Sequence, residues 1–302
     1  MKRIALTTVV ALVILGSRVD AGLMNYSSTV LSQNPNAYYR LNETAGATAF
    51  DLVGGNHAAY GTALTLGQAG PRSTQFGGFE ADNRAVHFDR DNFNSVLSLP
   101  TSLGMTSNLG SVSLWFNITA DQAADRASFL FYGNGGNSGD GFGTALEHHV
   151  QIWADGTVGI FSRGTGLNTD LNATTTPSQG NFADGFWHQL VFTWDRNDAG
   201  DNAAKIYVDG QQLLSVIDDS DSFSFSTALQ IGHPLSGNAG GLSRVYGGQL
   251  DEVSLFNRAL TPDEVTVQYL AAVPEPSTFT ISVWLGLIGV AACRRRSRRT
   301  ML

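Results

Sequence analysis

Between residues 22 and 272 the chain carries no long apolar stripe of helical period. Short alternating or wholly apolar stretches recur instead, separated by clusters of Gly, Asn and Asp. They are AVHFD (85–89), SVSLWFNI (111–118), ASFLFY (127–132), HVQIWA (149–154), TVGIFSR (157–163), HQLVFTWD (188–195), AKIYVDG (204–210), ALQIGH (228–233) and QLDEVSLFN (249–257). In SVSLWFN a period of two puts Val112, Leu114 and Phe116 on one face and Ser113, Trp115 and Asn117 on the other. Leu190, Phe192 and Trp194 alternate in the same way. Asp155-Gly156 and Asp209-Gly210 stand where hairpins turn. Many strands with few helices predict an all-β fold, a two-sheet antiparallel sandwich of jelly-roll type. One segment, LTPDEVTVQYL (260–270), reads as a short helix packed on the sandwich. Thr261 is its N-cap, Pro262 its first residue, and Val265 and Tyr269 share a face at i, i+4. No break in composition divides 22–272, so one domain is expected there.

The two ends differ from this body. MKRIALTTVVALVILGSRVDA has a basic start, an apolar run from Ile4 to Leu15, and a small-x-small pair at Val19 and Ala21. Residues 1–21 therefore read as a secretory signal peptide, cut before Gly22, and the protein is expected to be exported. At the other end, 273–302, VPEPST precedes an apolar run from Phe279 to Ala292 and then Arg294, Arg295, Arg296, Arg298 and Arg299. As a helix that run spans roughly 21 Å, short of a hydrocarbon core of about 30 Å, with the arginines held on the cytoplasmic side.

Charge follows the same division. Three of the 18 basic residues precede residue 22 and five follow residue 293, while 25 of the 26 acidic residues lie between. So acidic a body offers no basic surface to nucleic acid. The single cysteine, Cys293, excludes an internal disulfide, so the body must be held by its packed core.

VPEPST, an apolar run and an arginine cluster, in that order, closely resemble the bacterial PEP-CTERM sorting signal. The resemblance implies an exosortase-type membrane peptidase that recognises Pro274, Glu275 and Pro276. It also implies transient membrane insertion of the tail, then release of the body to the cell surface or an extracellular polysaccharide matrix. In the body, AYYRLNETAGATAFDLVGGNHAAYGT (37–62), DGFWHQLVFTWD (184–195), KIYVDGQQL (205–213) and GQLDEVSLFNRALTPDEV (248–265) stand in series. Together they resemble the laminin-G-like, concanavalin A-like jelly roll of bacterial surface proteins. That resemblance implies two curved antiparallel sheets and, in many relatives, glycan or protein binding with a bound calcium. Middle loops such as GNGGNSGDGFGTALEHH (133–149) match no fixed pattern, so ligand specificity does not transfer.

Calcium takes several oxygen ligands, carboxylates and carbonyls among them. Asp51 in DLVGGNH, Asn56 beside it, and Asp251 in LDEVSLF are the expected ligands; both acids fall on acidic positions of the resembled family. By alternation Asp251 shares a face with Val253 and Leu255, where a carboxylate needs a partner. Against the metal stands a plainer reading: Asp51 caps a turn and Asp251 bonds to backbone amides or an arginine. DRNDAGDNAAKI (195–206) begins like an EF-hand loop, but Ala199 and Ile206 break it, and DDSD (218–221) reads as a solvated loop.

His188 is expected to be a structural strand residue bonded to neighbouring backbone, and His148 and His149 to point to opposite faces. Trp153 and Trp115 are the candidates for an open sheet face that stacks on sugar. Polysaccharide hydrolases on this sandwich class carry E-x-D-x-x-E, whereas here Gln249 and Ser254 occupy the outer positions around Asp251. Neither G-x-S-x-G nor H-E-x-x-H occurs. The expected function is non-enzymatic: an exported surface or matrix protein that binds carbohydrate or a surface partner non-covalently. The alternatives are a purely structural matrix protein and a polysaccharide-active enzyme.

Overall fold

The computed structural model describes residues 25–273, except 73–74, 101–102, 104–108, 124–127, 135–146, 164–170, 196–202, 218–229 and 233–244. The expected signal peptide, the Pro274-Glu275-Pro276 motif, most of the EF-hand-like stretch and DDSD lie outside the described residues. Among the described residues no helix is long and apolar enough to cross a membrane.

In chain order the elements are α1 (Tyr26–Ser32), β1 (Ala37–Tyr39), β2 (Thr48–Ala49), β3 (Ala58–Tyr60), β4 (Thr65–Ala69), β5 (Arg84–Phe88) and β6 (Leu97–Ser98). Then come β7 (Leu109–Thr119), α2 (Ala120–Ala123), β8 (Ser128–Asn134), β9 (Glu147–Ile152), β10 (Val158–Arg163), β11 (Leu171–Thr174) and β12 (Asp184–Asp195). The chain closes with β13 (Ala203–Val208), β14 (Gln211–Ile217), β15 (Gln230–Ile231), β16 (Gly248–Phe256) and α3 (Pro262–Ala272). Each of the nine stretches expected to be extended overlaps one strand.

The strands form two eight-stranded sheets. The first runs β14-β13-β12-β7-β16-β5-β4, with β1 also paired to β16; the second runs β11-β10-β9-β8-β15-β6-β3-β2. Every pairing is antiparallel, as a sandwich of the jelly-roll kind requires. Inward faces follow the alternation read from the sequence: Val112, Leu114 and Phe116 of β7 and Leu190, Phe192 and Trp194 of β12 meet Val150, Ile152, Val158 and Ile160 of the second sheet. The Asp209-Gly210 turn joins β13 to β14 with both residues left-handed, φ 52° and 76°.

The outer face of the first sheet is not open. A second apolar cluster lies on it, joining Trp115, Trp187 and Val191 to Tyr26 and Val30 of α1 and Val265 and Ala272 of α3. Trp115 is fully buried there, edge-on to Tyr26 at 5.8 Å and to Phe79 at 5.2 Å. The expectation that Trp115 lies on an exposed face is therefore corrected. Pattern alone does not reveal which face a helix will cover, and α1 itself is too short to carry a visible stripe. Its signal is local: Asn25 accepts the Ser28 N–H at 2.9 Å as N-cap.

α3 matches its sequence signature. Thr261 and Glu264 form a reciprocal capping box, and Glu264 also binds Arg258 at 2.7 and 2.8 Å. Buried Gln268 ties the helix to the sheet, accepting from Ser113 at 2.9 Å and Gln189 at 3.1 Å and donating to Gln33 at 2.6 Å.

Candidate functional site

Asp51 sits just after β2 and organises the loop that follows. Its Oδ1 accepts the N–H of Tyr38 and of Val53, each at 2.9 Å. Its Oδ2 accepts the N–H of Gly54 at 2.9 Å and of Asn56 at 3.0 Å. Four amide donors fill the acceptor directions of one carboxylate. The Asn56 carbonyl is taken too, by the Tyr39 hydroxyl at 2.5 Å. The loop so fixed leaves Phe50, Leu52 and Val53 about half exposed, with Phe50 edge-on to His57 at 5.1 Å.

Asp251 lies in a different environment because β16 is bulged. Asp251 pairs with Trp115 and Ser254 with Ser113, so β16 advances three residues while β7 advances two. Glu252 is the extra residue and adopts φ 54°. The bulge breaks the alternation: Asp251 points to the side of Trp115, while Val253 and Leu255 stay in the core between the sheets. The expected shared face is corrected accordingly. Asp251 Oδ2 accepts from Asn83 Nδ2 at 2.7 Å and its Oδ1 from the Glu252 N–H at 2.9 Å. A methyl group at Gly70 would lie 2.8 Å from that Oδ2, so only glycine leaves room for the Asn83 bond.

Glu252 is wholly buried. Its carboxylate accepts from the Tyr38 hydroxyl and from Arg40 Nε at 3.1 Å. Arg40 also donates to Glu80 at 3.2 and 2.6 Å and to the Asn83 side chain at 3.2 Å. Burial pushes the carboxyls of Asp251 and Glu252 well above the usual range; for Asp251 the Asn83 bond and the Arg40 charge oppose it. Glu80, half open to water, is also pushed up by burial, but its bonds to Arg40 prevail and leave it lowered.

Above this network opens a recess of about 260 Å³ lined by Arg40, Asn42, Glu80, Asp82, Asn83 and Arg84. Its wall carries unused hydrogen-bonding groups. The exposed Asp82 carboxylate has no partner among the described residues, and Arg84 spends only Nη1, on the Gly67 carbonyl at 3.2 Å. Asn42 Oδ1 accepts the Arg84 N–H at 2.7 Å, leaving its amide NH₂ free. Sequence reading singled out none of these residues. The one nearby signal lies beneath them: in LDEV an unbroken strand would send two adjacent acids to opposite faces, so one of them would enter an apolar face.

For calcium, Asp51, Asn56 and Asp251 do not make a fitting donor set. The Asp51 oxygens and the Asn56 carbonyl are filled by protein donors, and Asp251 belongs to the Asn83 network. Among the described residues no group of three His, Cys, Asp or Glu side chains is placed to hold a metal.

His188 differs from expectation in its partners, which are side chains rather than backbone. Nδ1 is 2.7 Å from Asp209 and Nε2 3.1 Å from Asp184. Burial lowers its pKa, but Asp209 first and Asp184 second outweigh burial and leave it raised. Trp153 is the one described tryptophan that is not buried, and its ring covers Gly159, where an added methyl would lie 2.8 Å away.

Residues 91–266, more than half of the chain, match the profile of the concanavalin A-like lectin/glucanases superfamily. Among solved structures, domain 4 of an extracellular arabinanase of Geobacillus stearothermophilus, in complex with arabinotriose, superposes with a TM-score of 0.51 at 20% identity. That match covers 78% of this chain and 98% of that one. The binding domain of Paraclostridial Mosquitocidal Protein 1 gives 0.53 at 14% identity over 79% of this chain. The botulinum neurotoxin serotype D ligand binding domain, in complex with N-acetylneuraminic acid, gives 0.53 at 12% identity over 80%. The chain spans about half the length of these two toxin domains, 52% of each. At such identities the likeness is one of fold. No curated protein matches the sequence.

Proposed function

Because the chain belongs to the concanavalin A-like lectin/glucanases superfamily, we propose that it is a non-catalytic binding module for extracellular carbohydrate. The observation that carries this reading is the recess beside β5 and β16, lined by polar and charged side chains with free carboxylate, guanidinium and amide groups over a fixed ion-pair floor. A polyhydroxyl ligand offers the matching mixture of donors and acceptors. Structures of the same fold that were solved with arabinotriose and with N-acetylneuraminic acid lend it plausibility.

A non-enzymatic role agrees with the placement of the acids. A glycosidase sets two carboxyls on either side of a scissile bond. Asp251 and Glu252 are neighbours in one strand, have no exposed surface, and are committed to Asn83, Tyr38 and Arg40. Residues 1–21 serve as a cleaved signal peptide, and 273–302 as the sorting tail that an exosortase-type peptidase processes at Pro274-Glu275-Pro276. The body is then left on the cell surface or in the extracellular matrix. The purely structural reading has one observation in its favour, the rigid loop that holds Phe50, Leu52 and Val53 out to solvent as a protein-contact surface.

The test is binding of the purified full chain to a panel of bacterial and algal polysaccharides, with calcium and then with a chelator. Retention on at least one polysaccharide in both conditions is expected. Retention on none, with self-association instead, removes the carbohydrate reading in favour of the structural one.

A further inference from the structure

The recess is more specific than a polar surface. Of the four non-glycine residues with positive φ among the described residues, Asn34 and Asp209 are types that tolerate this region, whereas Leu41 (55°) and Glu252 (54°) are not. Both of the costly ones adjoin the recess: Leu41 lies between the lining residues Arg40 and Asn42, and Glu252 holds Arg40 from below. Backbone strain of this kind persists only where surroundings enforce it, and it gathers at ligand sites. Arg40 is held by its bonds to Glu252, Glu80 and Asn83, so the floor is set before any ligand arrives. Five of the six lining residues spend at least one polar group on the protein, and Asp82, Arg84 and Asn42 keep others for a guest.

Size and charge narrow the guest. A volume of about 260 Å³ falls below the roughly 300–1,000 Å³ of sites that enclose drug-sized ligands. The lining contains no aliphatic or aromatic residue, which disfavours an apolar guest. Arg40 is already paired with Glu252 and Glu80, which leaves one guanidinium, Arg84, and one carboxylate, Asp82, to face a guest, so neither an anion nor a cation is favoured. An adjacent carboxylate and guanidinium suit neighbouring hydroxyls, one donating to Asp82 and the next accepting from Arg84. The lining residues all precede residue 91, outside the segment that matches the superfamily profile, while Glu252 beneath them lies within it.

Resting on the carbohydrate-binding reading above, we infer that this recess seats one terminal residue of a glycan, a neutral sugar gripped through vicinal hydroxyls by Asp82 and Arg84. Asn42 adds a donor, and Arg40 positions the wall without leaving its ion pairs.

The test measures binding of the full chain to methyl α-glucoside, methyl α-mannoside and methyl β-galactoside by saturation-transfer NMR, with glucuronic acid and glucosamine as charged controls. Asp82→Ala and Arg84→Ala remove outward-facing groups, and thermal melts check that both variants fold. At least one neutral glycoside is expected to bind. Each substitution weakens it about tenfold, the effect of losing one charge-assisted hydrogen bond. For a polysaccharide that binds, signal at equal mass rises as chains are shortened, because ends are what is bound. Three outcomes overturn the inference: sugars bind and both variants bind equally well, only the charged controls bind, or polysaccharide binds independently of chain length. Any of these leaves the carbohydrate reading standing. Absence of binding to every sugar and polysaccharide removes both.

Discussion

Replacing Asp51 by alanine tests what holds the loop after β2. The carboxylate accepts four backbone N–H groups at 2.9–3.0 Å. Three of the donors, on Val53, Gly54 and Asn56, reach water once released, so their loss is partly recovered. The fourth, on Tyr38, lies on a wholly buried residue and is left without a partner. An orphaned buried N–H costs about 1–3 kcal/mol, and the three rehydrated bonds add roughly 0.5 kcal/mol each, giving a loss of about 2.5–4.5 kcal/mol. Against a typical domain stability of about 5–15 kcal/mol, that displaces a urea midpoint clearly. Asp51→Asn is expected to do little better, because its NH₂ would face the N–H groups of Gly54 and Asn56. The assay is urea unfolding followed by tryptophan fluorescence, in calcium and in EDTA. The expected result is one loss in both solutions and a wild-type midpoint that EDTA leaves in place. A loss of under about 1 kcal/mol shows that the four bonds are not what fixes the loop. A wild type that falls in EDTA to the Asp51→Ala midpoint shows that a cation, and not the backbone alone, is the partner of Asp51.

Three further predictions rest on other contacts. His188 has its folded pKa raised above the ordinary 6.5. Its stabilisation is therefore complete below that value and lost as pH rises through the folded pKa. The stability gap between wild type and His188→Gln is expected to shrink from mildly acidic to alkaline pH, and a gap that widens with pH contradicts the Asp209 and Asp184 pairing. At Gly78 a methyl group would lie 1.8 Å from the Ala271 carbonyl oxygen. Gly78→Ala is expected to lift the end of α3, cost about 1–3 kcal/mol and red-shift tryptophan emission as Trp115 meets water. An unshifted spectrum removes the claim that this contact seals the outer cluster. In the native host, Pro276→Ala is expected to leave the tail attached, visible as retained mass in the cell envelope. Normal trimming of that variant defeats the sorting proposal.

Much of the frame was legible along the chain, because the signals that specify it are local. Alternation in SVSLWFN and QLVFTWD needs only neighbouring residues, and both strands face as read. The Thr261 N-cap and the Asp209-Gly210 turn lie within four residues of sequence, and both formed as read. Where reading failed, it lacked a partner from elsewhere. Trp115 alternates as an outward residue and does face outward, but α1, α3 and Phe79 cover it, and no residue near Trp115 announces them. An unbroken period of two through LDEVSLF puts Asp251 on the face of Val253 and Leu255, and the bulge at Glu252 reverses it.

Sequence by itself determined nine of the sixteen strands among the described residues, the terminal helix, the acidic body and the unusual ends, since each follows from composition or short-range period. Tertiary structure alone decided the recess. Arg40, Glu80 and Glu252 are separated by 40 and 172 positions, yet they share ion pairs because β1 lies on β16 and the segment before β5 folds against both. Such a site depends on which strands become neighbours, and that is settled by burying the two apolar clusters, not by the residues that line it.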